Sequence, residues 1–417
     1  MDERMDTSTI DSELHGNLGF SDERLDRIER FLDERYIQSG KLPGALLSVS
    51  RYGEPAYTTV LGHADIERGV PLAADTIFRI YSMTKPLTSV AFMMLVEEGK
   101  VALDDPVHRY IPEWKGLGVF DAGTHRTGFV THPCTRPMQI VDLLRHTAGL
   151  TYGFQLRSNV DAAYRAHKIG EIEKAGTLAD MIATVAKLPL EYSPGDAWIY
   201  SIATDVLGYL IGVISGEPFE AFLQRRILDP LGMIDTGFHV PAGKAARFAG
   251  CYEPDGTGGI RLQDDAVGSA FLKPPSLVSG GGGLVSTAAD YMRFGNALLN
   301  GGTLDGHRLI GRKTLDLMTA NHLPGGASIA ALSRSLFSEA AYDGVGFGLG
   351  FATTLDVPKT LMPGSAGDYF WGGAASTFFW VDPAEDIVVV FMTQLIPSST
   401  YPVRRELRTL IYSALDD

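Results

Sequence analysis

Apolar residues along this 417-residue chain change their spacing four times. From Ser21 to Gln38 they recur with helical period, through Leu25, Ile28, Phe31 and Leu32, with Ser21 placed to cap the start and Gly40 to stop it. Ala45–Ser50 and Tyr57–Leu61 follow as apolar, β-branched runs. Between them Tyr52-Gly53-Glu54-Pro55 is turn chemistry, so a hairpin is predicted. From about Ser82 to Leu231 the helical period returns, first through Val90, Met94 and Leu95 before Gly99, then Ile140, Leu143 and Leu144 before Gly149. Leu178–Leu188, Val206–Ile214 and Phe219–Leu228 continue it. After about Gly250 strands come back: Val345–Phe351 alternates with period two, Thr377–Val381 is aromatic and β-branched, and Ile387–Phe391 reads as a fully buried strand. Arg404–Leu415 predicts a closing helix.

Strands at both ends with helices between them predict an α+β fold, in which the two termini build one antiparallel sheet flanked by helices around an inserted helical domain. The expected division is a discontinuous sheet domain, residues 1–88 and 265–417, and a mainly helical insert, residues 89–264. No internal repeat, low-complexity tract or linker interrupts this plan.

Composition narrows the function classes. With 45% hydrophobic and 21% charged residues the chain can bury a large core. Its 36 basic and 50 acidic side chains leave a net charge of −14, with no Lys/Arg block, which argues against nucleic acid or an anionic membrane surface as partner. Apolar runs such as Val90–Val96 fall far short of a bilayer span. Cys134 and Cys251 are too few for a disulfide framework and are expected to be free thiols. Met1–Asp6 is acidic and polar, without the cationic start and apolar stretch of a secretory signal, so a soluble, cytoplasmic protein is expected.

Three segments carry candidate chemistry. Ser82-Met83-Thr84-Lys85 follows a strand-like stretch and opens an apolar helix, which puts Ser82 and Lys85 on one face. A serine hydroxyl needs a neighbouring base, and a partly buried amine kept neutral can serve; the helix start adds backbone donors and a positive dipole end. Pro86 predicts an irregular first turn. Tyr200, just ahead of another apolar helix, is the second element: facing Ser82 and Lys85, its phenol would be acidified by the ammonium and could act as base. The third is Trp371-Gly372-Gly373-Ala374, where consecutive glycines at a sheet edge allow close approach and an N–H could pair with that of Ser82 as an oxyanion hole. Each pattern alone recurs by chance in a chain of this size.

Together, in this order, they resemble the serine β-lactamase and penicillin-binding-protein superfamily, and within it the class C-like branch of family VIII carboxylesterases and lovastatin-type acyltransferases. Met138–Leu150 and Ser279–Thr287 are similar to stretches typical of those proteins, and the likeness extends over nearly the whole chain after about residue 20. The resemblance implies Ser82 as acylated nucleophile, Lys85 as proton-relay partner, Tyr200 as the base that activates water, and the Ser82 and Ala374 amides as oxyanion hole.

Two departures from the β-lactamase pattern bear on the substrate. Trp371 stands where a Lys or His would help hold a substrate carboxylate, and Ile202 where an Asn would contact the substrate amide. Both point to neutral, apolar, short- to medium-chain esters, with weak β-lactam hydrolysis at most. Tyr81, Tyr152, Phe154, Phe370 and Trp371, with Gly372 and Gly373, are the candidate substrate-binding residues.

No Gly-x-Ser-x-Gly elbow occurs, and His146 is expected to be a structural hydrogen-bonding residue. No metal-ligand spacing is present, so neither metal nor cofactor is expected. An acyltransferase using the same acyl-enzyme, a β-lactamase or D-aminopeptidase, and a non-catalytic binding protein on the same fold remain as alternatives.

Overall fold

The computed structural model describes residues 18–171, 176–334 and 342–416; Met1–Asp6, read above as lacking a leader, lies outside them. Its centre is an eight-stranded sheet, whose strands are numbered here in chain order: β1 Gly44–Arg51, β2 Glu54–Asp65, β3 Val70–Pro71, β4 Val345–Phe347, β5 Ala352–Thr354, β6 Tyr369–Gly372, β7 Phe378–Asp382 and β8 Ile387–Met392. The spatial order is β4-β5-β6-β7-β8-β1-β2-β3 and every pairing is antiparallel. The first strand of the chain therefore lies beside the last, with Leu46 opposite Met392 and Val49 opposite Val389.

Alternation along the strands gives the sheet two apolar faces. On one, Leu47, Val49, Trp380, Val389 and Phe391 pack with Leu25, Ile28 and Leu32 of the helix Asp22–Leu32 and with Leu407 and Ile411 of the helix Val403–Ser413. On the other, Leu46, Phe379, Val388 and Val390 join Tyr291 and Phe294 of the helix Ala288–Leu299 in a larger core. That helix approaches so closely that a Cβ at Gly295 would fall 2.4 Å from Val388 Cγ1. Helices on both faces explain why Ile387–Met392 is buried at every position.

The helical stretch in mid-chain extends the same core: Thr84–Glu97, buried at nearly every position, packs on Ala203–Ser215. Two hairpins lie within residues 89–264, expected as a mainly helical insert: Gly118–Thr124 with Gly128–Pro133, and Cys251–Pro254 with Ile260–Asp264, the latter where strands were expected to return. Gly128–Pro133 is largely exposed and carries little apolar signal, and Cys251–Pro254 and Ile260–Asp264 are too short, at four and five residues, to mark a hairpin by pattern alone.

Of the strand predicted over Val345–Phe351 only Val345–Phe347 forms, and a second short strand, Ala352–Thr354, follows the turn. Gly348 and Gly350 make the turn between them: the Gly348 N–H bonds the Phe351 carbonyl at 2.8 Å, and Gly350 takes φ +102° against Ser89. Both cysteines are free thiols. Among the described residues, no single helix is long and apolar enough to cross a membrane.

Candidate active site

Ser82 sits where a strand becomes a helix. The short strand Phe78–Arg79, paired with Val285–Ser286, runs into a 3₁₀ turn, Tyr81–Met83, and the α-helix starts at Thr84. Tyr81 takes φ +41°, a conformation costing a non-glycine residue about 1–3 kcal/mol. Burial holds it there: the Tyr81 ring is 6% exposed and meets Phe271 edge-on. Pro86 falls in the first helical turn, where a backbone donor has no intrahelical acceptor to lose, so the irregularity is confined to the 3₁₀ turn before it.

Tertiary packing brings the three predicted groups together. Lys85 Nζ is 3.1 Å from Ser82 Oγ and donates to the Gly281 carbonyl at 2.6 Å. The Tyr200 hydroxyl, 118 positions from Ser82, donates to Ser82 Oγ at 2.6 Å. Lys85 is 2% exposed. Burial brings its amine down to about 7, against the opposing pull of Asp205, so much of it is neutral near neutral pH.

Tyr200 departs from the expected acidified phenol. Burial pushes it well above its ordinary value, the hydrogen bonds with Ser82 and with Trp371 Nε1 (3.4 Å from the phenol oxygen) only partly opposing. The reason lies in the placement of Lys85, whose Nζ stands over the Tyr200 ring, 4.5 Å from its centroid, and whose charge is itself depleted. The resting site thus holds a neutral phenol beside an amine that is about half neutral near pH 7.

These groups open onto a cavity of about 650 Å³. Tyr81, Tyr152, Phe154 and Trp371 line it, as do Gly372, Gly373 and Ala374. Tyr152 is tilted against Tyr200 at 5.3 Å between centroids, and the half-exposed Phe154 stacks on Tyr152 at 4.8 Å. Phe370 is not brought there. Neighbouring strand residues point to opposite faces: Phe370 lines only a second cavity beside Arg408, while Trp371 borders both that cavity and the cleft.

Gly373, just past the end of β6, has a steric cause. A Cβ at Gly373 would fall 2.4 Å from the Ile80 carbonyl oxygen and 2.2 Å from Thr377 Oγ1, so only glycine lets this backbone lie against the turn that carries Ser82. The Gly373 N–H is taken by the Thr377 carbonyl at 2.8 Å. The next amide, of Ala374, and that of Ser82 have no acceptor among the described residues, as two oxyanion donors require.

Sequence reasoning missed two polar groups. Asp205, buried on the helix Ala203–Ser215, accepts the Gly281 N–H at 3.0 Å and the Ser279 hydroxyl. Arg404, on the C-terminal helix, donates to the Gly373 carbonyl at 2.7 Å and to that of Thr377 at 3.0 Å. Their positions relative to Ser82 follow no local spacing; a lone acid at an apolar helix start was the only available sign of Asp205. His146 is buried, 5.1 Å from Tyr200 between ring centroids, with Nδ1 3.3 Å from Ser201 Oγ. Burial, then the Lys85 charge, holds it well below the ordinary imidazole value, so it is a neutral packing partner of Tyr200.

Comparison with known proteins bears on the fold and the family. The family model Beta-lactamase matches residues 25–413. An uncharacterized protein of Mycobacterium tuberculosis is 38% identical over 362 residues, 86% of this chain and 87% of that protein. Esterase EstB of Burkholderia gladioli is 30% identical over 408 residues, 93% of this chain and 95% of the esterase. Among solved structures, EstCE1, described as a hydrolase with promiscuous acyltransferase activity, superposes with TM-score 0.78 at 25% identity, covering 95% of this chain and 99% of its own. With the antiparallel sheet, the serine at the helix start and a match running almost end to end, the chain belongs to the beta-lactamase family as an enzyme of its serine hydrolase kind.

Proposed function

We propose that the protein is a carboxylesterase that cleaves neutral, apolar, short- to medium-chain esters through an acyl-enzyme on Ser82. One observation carries the reading: Ser82 Oγ has Lys85 Nζ at 3.1 Å and the Tyr200 hydroxyl at 2.6 Å, facing a cleft walled by the uncharged Trp371 ring. The esterase relative supports it.

In this reading neutral Lys85 takes the Ser82 proton as the oxygen attacks the ester carbonyl, and the Ser82 and Ala374 amides receive the oxyanion. Tyr200 protonates the departing alkoxide. The acyl-enzyme is left with a Lys85 ammonium and a Tyr200 phenolate, a pair that neutralises itself in a low-dielectric site. The phenolate then takes a proton from the attacking water, and the ammonium returns one to Ser82 Oγ as the acid leaves. The role expected for Tyr200 as base thus arises only after acylation.

The same acyl-enzyme can pass its acyl group to an alcohol. The likeness to EstCE1 and a cavity of about 650 Å³, with room for an acceptor beside the acyl chain, favour this second reading. Hydrolysis of a p-nitrophenyl ester series, with and without added alcohol, separates the two by product. Ser82→Ala is expected to abolish turnover and any mass adduct with an organophosphonate. Turnover retained by Ser82→Ala refutes the nucleophile, and benzylpenicillin hydrolysis at a comparable rate refutes the ester preference.

A further inference from the structure

Arg404 lies outside the nucleophile's hydrogen-bond reach, yet it is bound to the backbone that faces it. The guanidinium donates through one nitrogen, Nη2, to the carbonyls of Gly373 and Thr377. It lies flat enough on β6 that a Cβ at Gly372 would come within 2.6 Å of its Cζ. Among the described residues no carboxylate forms an ion pair with it, although Arg408, one turn further on, is paired with Asp368. An arginine kept close to the cleft with its charge unneutralised, and with a glycine to admit it, calls for a reason beyond helix docking.

The peptide unit supplies one. The Gly373 carbonyl and the Ala374 N–H belong to the same planar trans amide, in which oxygen and hydrogen point in opposite directions. Fixing the oxygen toward Arg404 therefore fixes the hydrogen toward the far side, and Ala374 lines the cleft there. A cation at the carbonyl end also polarises the amide and strengthens its N–H as a donor. The Thr377 carbonyl, held by the same guanidinium nitrogen, accepts the Gly373 N–H at 2.8 Å and locks the preceding peptide.

We propose that Arg404 is a positioning residue of the oxyanion hole: by holding the Gly373 carbonyl it aims the Ala374 N–H at the developing oxyanion on the substrate. The inference rests on the acyl-enzyme reading above. Arg404 borders the cleft but makes no hydrogen bond to Ser82; acting through the Gly373–Ala374 peptide, its effect belongs to the transition state and not to ground-state binding.

The test compares Arg404→Ala and Arg404→Lys with the parent enzyme on a neutral p-nitrophenyl ester. Loss of one oxyanion donor costs about 10²- to 10³-fold in kcat, so a misaimed donor is expected to cost Arg404→Ala about 10- to 100-fold, with KM nearly unchanged. Affinity for an alkyl boronic acid, whose tetrahedral adduct places an oxygen in the hole, should fall in step with kcat/KM. Added guanidinium should restore part of the Arg404→Ala rate, and Arg404→Lys should lie between. A parental kcat, a raised KM with kcat intact, or unchanged boronate affinity overturns the proposal. Should Arg404→Ala fail to fold, Arg404→Lys decides by the same kcat, KM and boronate readouts. Turnover surviving in Ser82→Ala would sink the acyl-enzyme reading itself, whereas parental kinetics in the Arg404 variants beside an inert Ser82→Ala would sink only the role of Arg404.

Discussion

Asp205 reaches Lys85 through a single residue: its carboxylate accepts the Gly281 N–H at 3.0 Å, and the Gly281 carbonyl accepts the Lys85 ammonium at 2.6 Å. The glycine is required. A Cβ at position 281 would fall 2.6 Å from Asp205 Oδ2 and 2.9 Å from the Tyr152 hydroxyl. The loop thus keeps the acid from pairing directly with the amine, and its charge only moderates the effect of burial.

Asp205→Asn keeps the two acceptor contacts and removes the charge. Because Asp205 raises the Lys85 value, the acid limb of the kcat/KM profile should move to lower pH, with the Ser82 adduct rate still measurable. A limb that stays in place would separate the two residues electrostatically.

The parent profile has its own expected sign. In the proposed mechanism attack needs neutral Lys85, so kcat/KM for a neutral ester should rise as the pH climbs through about 7. Stability follows from the same group. The amine titrates at 10.5 in its unperturbed state and at about 7 when folded, so between those values the unfolded chain holds the extra proton. Burial of Lys85 is therefore most costly below pH 7, and the cost fades as the pH rises toward 10.5. Lys85→Met should be inactive yet melt at a higher temperature than the parent at pH 7, with the difference shrinking in alkaline buffer, as read by calorimetry.

In the proposed mechanism Tyr200→Phe removes both the acid for the leaving alkoxide and the later base. A p-nitrophenolate leaves without help, so acylation should survive better than deacylation. Stopped-flow traces should show a burst followed by turnover slowed about 10²- to 10⁴-fold. Combined with Lys85→Ala, the losses should fall well short of additive, as for groups that act as one unit.

Gly373→Ala places a Cβ against the Ile80 carbonyl and Thr377, displacing the β6 end from the Ser82 turn. The expected result is a loss in kcat of about 10²- to 10³-fold, comparable to losing an oxyanion donor, with the circular dichroism spectrum retained.

Much of the plan was legible before folding is considered. The helical spacing of Leu25, Ile28 and Leu32, the apolar run Ile387–Phe391 and the i, i+3 relation of Ser82 to Lys85 are local properties, set by the periods of helix and strand. That both ends of the chain supply strands already pointed to one sheet joining them. Other features had no local sign. Phe370 and Trp371 are adjacent aromatics, and only their register on β6 decided which faces the cleft. The shortening of the strand over Val345–Phe351 depended on Gly350 meeting Ser89, 261 positions earlier.

What the sequence by itself determined is the inventory: a serine, a lysine and a tyrosine ahead of apolar helices, glycines after a tryptophan, and strands at both termini. Tertiary structure alone decided their ionisation and aim. Burial, absent from any linear pattern, turns Lys85 into a base near neutral pH and keeps Tyr200 a neutral phenol. Arg404 and Asp205 act through backbone carbonyls and amides brought close only when the C-terminal helix and the helix Ala203–Ser215 dock. The free energy of a charge depends on what surrounds it in three dimensions, and that surrounding exists only in the folded chain.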